Sequence, residues 1–291
     1  MRDLVSPYRI TSGRGFRLAG HDPDDTGPFE SKHKAAERLA RGLETLREQQ
    51  EKLYAQGTWA ILLIFQAMDA AGKDSTITHV MRGLNPQGCQ VSSFKAPSHE
   101  ELAHDYLWRT TLRLPARGQL GVFNRSYYEE VLVVRVHPEI LGAQRLPPAV
   151  MSKRIWRERF EDIAGFERHL TRNGVAVLKF FLNVSKEEQQ RRFIDRLETP
   201  SKNWKFSVGD VREREHWRDY MAAYEDMIRH TATPDAPWFV VPADHKWFTR
   251  LVVAEAIGQA MRRLDLDFPT LDRAQKKALA AARAELTRQR K

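Results

Sequence analysis

The stretch Phe65-Gln66-Ala67-Met68-Asp69-Ala70-Ala71-Gly72-Lys73-Asp74-Ser75-Thr76 constrains this chain more than any other. It follows the apolar run Trp59-Ala60-Ile61-Leu62-Leu63-Ile64, which reads as a buried strand. It precedes Ile77-Thr78-His79-Val80-Met81, which begins a helical pattern. A strand, a turn of small residues ending in Gly-Lys and then a helix together make a phosphate cradle. Backbone N–H groups and the positive end of the helix dipole face the anion, and the lysine adds a full charge. The match to G-x-x-x-x-G-K-[ST] is imperfect. Ala67 replaces the first glycine, Asp74 stands where a magnesium-binding hydroxyl is expected, and Asp69 places a carboxylate inside the loop.

The rest of the chain frames that loop as part of a large α/β domain. Strand patterns lie at 59–66, 89–95, 119–124, 175–184 and 238–242, separated by helical patterns near 74–84, 99–112, 127–136 and 148–173. A charged helical stretch covers roughly 185–230, interrupted around Thr199–Gly209. Alternating strands and helices predict a parallel five-stranded sheet flanked by helices on both faces. Residues 1–31 read as an extended arm with turns, Ser31 is a candidate cap, and Lys32–Ala55 carries helical spacing ending at Gly57. No internal repeat or composition shift marks a second domain, so residues 1–270 form one unit and 271–291 a tail.

The net charge of +9 is mostly a property of that tail. Leu271 to Lys291 hold seven Lys/Arg against Asp272 and Glu285, which leaves +4 for the body. Basicity therefore does not assign a polyanion to the body, and the tail reads as a solvated helix. A single cysteine, Cys89, excludes an internal disulfide and suits a reducing, cytoplasmic setting. No apolar stretch is long enough to span a bilayer, and the first residues lack the apolar core of a signal peptide. Zinc spacing of Cys and His is absent, as is a Gly-x-Ser-x-Gly elbow.

Three constellations carry chemistry. In the loop, Lys73 can reach phosphate oxygens, and Asp69 is tolerable beside them only with a cation between, so it is the expected anchor of magnesium. Backbone groups of Ala70, Ala71, Gly72 and Asp74 complete the cradle. The third strand ends in Phe123-Asn124-Arg125-Ser126-Tyr127-Tyr128-Glu129-Glu130, and ligands of parallel sheets bind beyond such strand ends. Arg125 offers a planar fork for phosphate, Asn124 can ligate or donate, and Glu129 reaches toward a nucleotide or a metal-bound water. Arg135, inside an apolar run, needs either a structural carboxylate or a phosphate. Finally, Arg192 and Arg196 share a helix face ahead of Lys202-Asn203-Trp204-Lys205-Phe206. Nine Lys/Arg against eight Asp/Glu across 185–220 leave two readings there. One is a solvated helix pair laced with ion pairs; the other is a lid that lowers cations onto a polyanion, bending at Pro200 and Gly209.

Ala-Met-Asp-Ala-Ala-Gly-Lys-Asp, then Phe-Asn-Arg-Ser-Tyr-Tyr-Glu-Glu, then Asn-Trp-Lys-Phe resembles the type-2 polyphosphate kinases, in that order and at these separations. The resemblance runs from about Asp22 to Ala243. It implies a thymidylate-kinase-like phosphate-loop fold with a helical lid at about 185–216. It also implies phosphoryl transfer between inorganic polyphosphate and nucleotides with magnesium or manganese, in a homo-oligomer. By position, Asp69, Lys73 and Arg125 match the family's loop aspartate, loop lysine and strand-end arginine, and Arg192 and Lys205 match basic lid positions. Many members carry aspartate where this chain has Asn124. With the acid at Glu129, the pattern is similar to the subgroup that accepts AMP as well as ADP, with guanine nucleotides as further candidates. The alternatives are an ATP-dependent nucleoside or nucleotide kinase of the same fold, and a nucleotide- or nucleic-acid-binding protein without turnover.

Overall fold

Strand β2 (Ala60–Ala67) is buried along its whole length, which is why it reads as an unbroken apolar run rather than an alternating one. A computed structural model describes residues 3–289, with the side chains of Lys205 and Val208 outside that description. Among the described residues six strands form one sheet: β1 (Arg9–Ile10), β2, β3 (Cys89–Ser93), β4 (Leu120–Asn124), β5 (Val175–Asn183) and β6 (Trp238–Pro242). Their order is β1-β6-β5-β2-β4-β3. The five expected strands are present and mutually parallel; β1 adds an antiparallel edge by pairing Arg9 with Phe239 and Ile10 with Trp238. That two-residue strand lies in the Pro/Gly-rich arm, where two residues cannot display a period.

Parallel neighbours need crossovers, and helices supply them. Helix α1 (Lys32–Gln56) ends at Gly57, whose φ of 62° is the left-handed cap that only glycine adopts cheaply. Ser31 stands at its N-cap without a side-chain cap bond, contrary to expectation. Helix α2 (Lys73–Val80) follows β2. The two helical stretches expected near 99–112 and 127–136 are broken instead into short pieces, including α3 (Trp108–Thr111) and α4 (Val133–Val136). Next come α5 (Pro138–Ala143) and α6 (Ile155–Arg172). The segment expected as a lid contains α7 (Lys186–Glu198), a 3₁₀ turn at Pro200–Lys205 and α8 (Val208–Glu213). Pro200 does open the break, but Gly209 lies within α8 rather than at a bend. Helix α9 (Trp217–Thr231) returns the chain to the sheet.

Helix α10 (Lys246–Arg262) has no counterpart in the sequence-based expectation. It packs along α1 and buries Phe248, Leu251, Val252, Val253, Ala256, Ile257 and Met261, so apolar residues surround it and no single stripe announces it. Helix α11 (Arg273–Arg288) closes the described chain and has no buried residue. No helix among the described residues is long and apolar enough to cross a membrane.

From β2 the chain runs to one edge of the sheet, returns through β4 and crosses to β5 on the other side. The carboxyl end of β2 is therefore the switch point at which open α/β sheets form a crevice.

Candidate active site

The turn from β2 into α2 is made by two left-handed backbone positions. Ala70 has φ 62° and Gly72 has φ 98°. For alanine this conformation costs about 1–2 kcal/mol and persists only where the surroundings over-determine it. Here the surroundings are specific: Ala71 N–H donates to the Met68 carbonyl at 3.2 Å, and Ser75 Oγ donates to the Gly72 carbonyl at 2.9 Å. Helix α2 then begins at Lys73, so its first N–H groups face the loop. The Lys73 side chain is buried and folds back to within 3.5 Å of the Ala67 carbonyl. Burial, helped by Arg125, pushes its pKa down, while Glu129, Asp69 and Asp74 oppose that shift. A buried ammonium beside an open cradle favours an anionic ligand.

Arg125 sits just past β4 with φ 62°, its N–H donating to the Phe65 carbonyl at 3.0 Å. This backbone turns the guanidinium across the end of β2. Its Nη2 donates to Asp69 at 3.0 Å and its Nη1 to Glu129 at 3.4 Å. The two carboxylates, Glu129 foremost, hold the guanidinium firmly charged. Glu129 is fixed in turn by buried Gln66, whose amide donates to it at 2.7 Å, and Gln66 accepts from Ser126 Oγ at 3.3 Å. Asn124 donates to Asp74 at 2.8 Å. The structure thus gathers these residues into two bonded sets, Asp69–Arg125–Glu129 and Asn124–Asp74, around the end of β2.

Arg192 does not behave as expected. All five of its guanidinium N–H groups are engaged: Nε with Glu188 at 2.7 Å, Nη1 with the Ala70 and Ala71 carbonyls at 3.1 and 2.7 Å, and Nη2 with the Ala243 and Asp244 carbonyls at 2.5 and 3.0 Å. It is buried and lashes the cradle to the end of β6, so its place is that of a strut rather than a free phosphate ligand. Arg135 donates through Nη2 to Asp226 on α9 at 2.8 Å, so of the two partners open to it the structure supplies the carboxylate, while its buried Nη1 makes no hydrogen bond. The side chain of Lys205 lies outside the described residues.

Sequence reasoning missed two lysines, Lys95 and Lys246. A cavity of 660 Å³ lies over the loop and is lined by Asp69–Ser75, Arg125 and Arg192, and also by Lys95, Lys202 and Lys246. Lys95 follows β3 and Lys246 follows β6, so both stand past strand carboxyl ends, a signal that could have found them. Burial lowers the Lys246 pKa, with Arg192 contributing. With Asp74, Asp195 and Asp210 also present, the cavity suits a polyanion accompanied by cations. Among the described residues no group of three or more His, Cys, Asp or Glu could hold a metal unaided. One carboxylate at the cradle, Asp69, fits a divalent ion that takes its remaining oxygens from phosphate and water.

Beneath the site, Tyr127 and Tyr128 donate to Glu167 at 2.9 and 2.7 Å. Lys179 donates to Glu167 at 2.5 Å and to the Thr231 carbonyl at 2.7 Å. All four side chains are buried, so the turn bearing Arg125 and Glu129 rests on a filled polar network.

Residues 30–269 match the family model described as polyphosphate kinase 2. The chain is 49% identical over 288 residues to the ADP-polyphosphate phosphotransferase of Rhodopseudomonas palustris, covering 98% of this chain and 99% of that relative. It is 43% identical over 274 residues to the AMP/ADP-polyphosphate phosphotransferase of Meiothermus ruber, covering 94% and 98% respectively. Among solved structures, polyphosphate kinase 2 from Arthrobacter aurescens superposes with a TM-score of 0.87 at 41% identity, covering 97% of each chain.

Proposed function

The chain belongs to the polyphosphate kinase 2 family, and from this premise we propose how it moves a phosphoryl group from inorganic polyphosphate onto AMP and ADP. The end of the polyphosphate chain lies in the cradle, against Lys73 and the N–H groups of Ala70–Asp74. The acceptor nucleotide approaches from the side of Arg125 and Glu129. The observation that supports this division is the placement of Arg125, whose guanidinium touches Asp69 of the cradle and Glu129 at once. A phosphate arriving on either side meets the same fork.

The attacking oxygen of a nucleotide phosphate is already ionised at neutral pH, so a strong general base is unnecessary. The difficulty is to bring two polyanions into line. Lys73 and Arg125 lower that repulsion and hold the groups in position, which is how phosphoryl transfer is accelerated generally. A divalent ion held by Asp69, magnesium or manganese, would neutralise charge on the transferring group. Asn124 keeps Asp74 turned aside, and Gln66 holds Glu129 in place. Arg192 fixes the cradle's carbonyls and adds its field from behind. One phosphoanhydride replaces another, so transfer runs in both directions according to concentrations. Lys205 and the neighbouring segment form the cover on polyphosphate. We further place the protein in the cytoplasm as a homo-oligomer, in keeping with its lone Cys89 and its family.

The test is incubation of the purified protein with long-chain polyphosphate, a divalent metal salt and either AMP or ADP, without ATP. Formation of ADP and ATP is expected. Absence of both products, with turnover appearing only when ATP is the donor, would replace this reading with that of an ATP-dependent nucleotide kinase.

A further inference from the structure

Helix α11 is a built element that touches little else. Its N-terminus carries a complete capping box, with Asp272 accepting from the Gln275 N–H at 2.8 Å and the Gln275 side chain accepting from the Asp272 N–H at 2.9 Å. Every described residue from Asp267 to Gln289 is exposed. At about 100° per residue, its five basic side chains, Arg273, Lys276, Lys277, Arg283 and Arg288, fall within an arc of about 140°. The single acid of the helix, Glu285, lies off that arc and reaches Arg288 at 3.0 Å. The opposite face is mostly alanine with Leu279 and Leu286, a small area for docking onto protein. Such a face, running the length of a helix, complements a linear polyanion.

We propose that the basic face of α11 is a secondary contact for long polyphosphate chains, holding a distal part of the chain whose end lies in the cradle. This rests on the proposed function. The charge is of the right sign and arrangement for the substrate, and the placement makes it selective for length. Helix α10 starts beside the cavity at Lys246 and carries the chain away for 17 residues, about 25 Å. A polyphosphate of a few units seated in the cradle does not reach α11. A chain of hundreds does, and its release of counterions makes the contact salt-sensitive.

The experiment compares the intact protein with a chain lacking residues 271–291 and with the full-length variant Lys276→Gln/Lys277→Gln/Arg283→Gln, using chains of about six and of several hundred phosphates. For both variants the KM for long chains should rise about three- to tenfold, with kcat and the short-chain KM unchanged, and the difference should vanish in high salt. Equal KM values at both lengths for all three proteins would overturn the proposal. So would losses equal at both lengths, or a changed oligomeric state on deletion without any effect of the charge variant. Failure of the intact protein to use polyphosphate of either length would sink the functional reading itself, and with it the partner named here.

Discussion

The cradle and the segment beyond Pro200 that we propose as its cover differ in burial. Behind the cradle, one buried arginine spends five donors on four backbone carbonyls and a carboxylate, and Ala71 is 2% exposed. Across the cavity, Trp204 is 78% exposed, and Arg196 and Asp210 pair at 3.5 Å. A site that works by positioning needs its donor floor preformed, because every misplacement there is paid at the transition state. The cover needs only to follow a chain of variable length. Damage to the floor should therefore appear in kcat and in stability, and damage to the cover in apparent affinity.

The sharpest way to break this contrast is at Lys73. Lys73→Ala should lower kcat by about 10²–10³-fold with both AMP and ADP, the usual loss when a fixed charge aimed at the transition state is removed. Turnover near the parent value would take the loop out of the mechanism. Arg192→Ala comes next, since it removes the donors of four backbone carbonyls, while Glu188 keeps Arg191. We expect a stability loss of about 3 kcal/mol, seen as a Tm lower by on the order of 10 °C, together with reduced kcat. If Tm were unchanged and only the KM for polyphosphate rose, Arg192 would be a ligand and the floor would not be prewired.

Glu129→Ala probes the acceptor side and should harm AMP use about tenfold more than ADP use, or about 1.4 kcal/mol of selectivity. Equal losses would deny it a part in choosing the acceptor. The pH profile adds a finer cut. Lys73 must be protonated to hold phosphate, and burial lowers its pKa from the ordinary 10.5. Affinity for polyphosphate should thus decline as pH rises, beginning earlier than a solvated lysine would allow. Lys73→Arg, whose charge persists, should flatten that alkaline limb; a limb that survives belongs to another group. The smallest effect is expected at the cover, where Lys205→Ala removes one charge worth about 0.5–1 kcal/mol and raises the KM for polyphosphate a few-fold without changing kcat. An unchanged KM would return this segment to a solvated helix pair.

Four of the sheet's five parallel strands were legible because each is an apolar run bounded by turn chemistry; the exception is β3, where Gln90, Ser92 and Ser93 make the strand mostly polar. The loop was legible because a buried strand, a turn of small residues ending in Gly-Lys and a helix start together make a phosphate cradle. Helix α10 escaped for the opposite reason, its apolar residues being spread around the whole circumference. Arg192 was read as a ligand because sequence shows a cation's type but not its acceptors. Those acceptors are backbone carbonyls at Ala70, Ala71, Ala243 and Asp244, and a carbonyl leaves no mark on the residue that carries it. Arg135 and Asp226 likewise meet across 91 positions of chain. Lys95 and Lys246 went unnoticed although their places after strand ends qualified them.

The strut has a consequence for how the molecule comes into being. Its carbonyl partners on one side belong to the loop at Ala70–Ala71, and on the other to Ala243–Asp244. The same late segment is gripped by the earliest one: Asp244 N–H donates to the Pro23 carbonyl at 3.1 Å, and β6 pairs with β1. During synthesis the loop is therefore made long before the residues that hold it in shape. Contacts so distant along the chain form slowly and close last. A ribosome-bound fragment ending before β6 carries the phosphate loop and Arg192 but not the far anchorage of that strut at Ala243–Asp244, so competence should arrive late, with the last strand, rather than growing strand by strand.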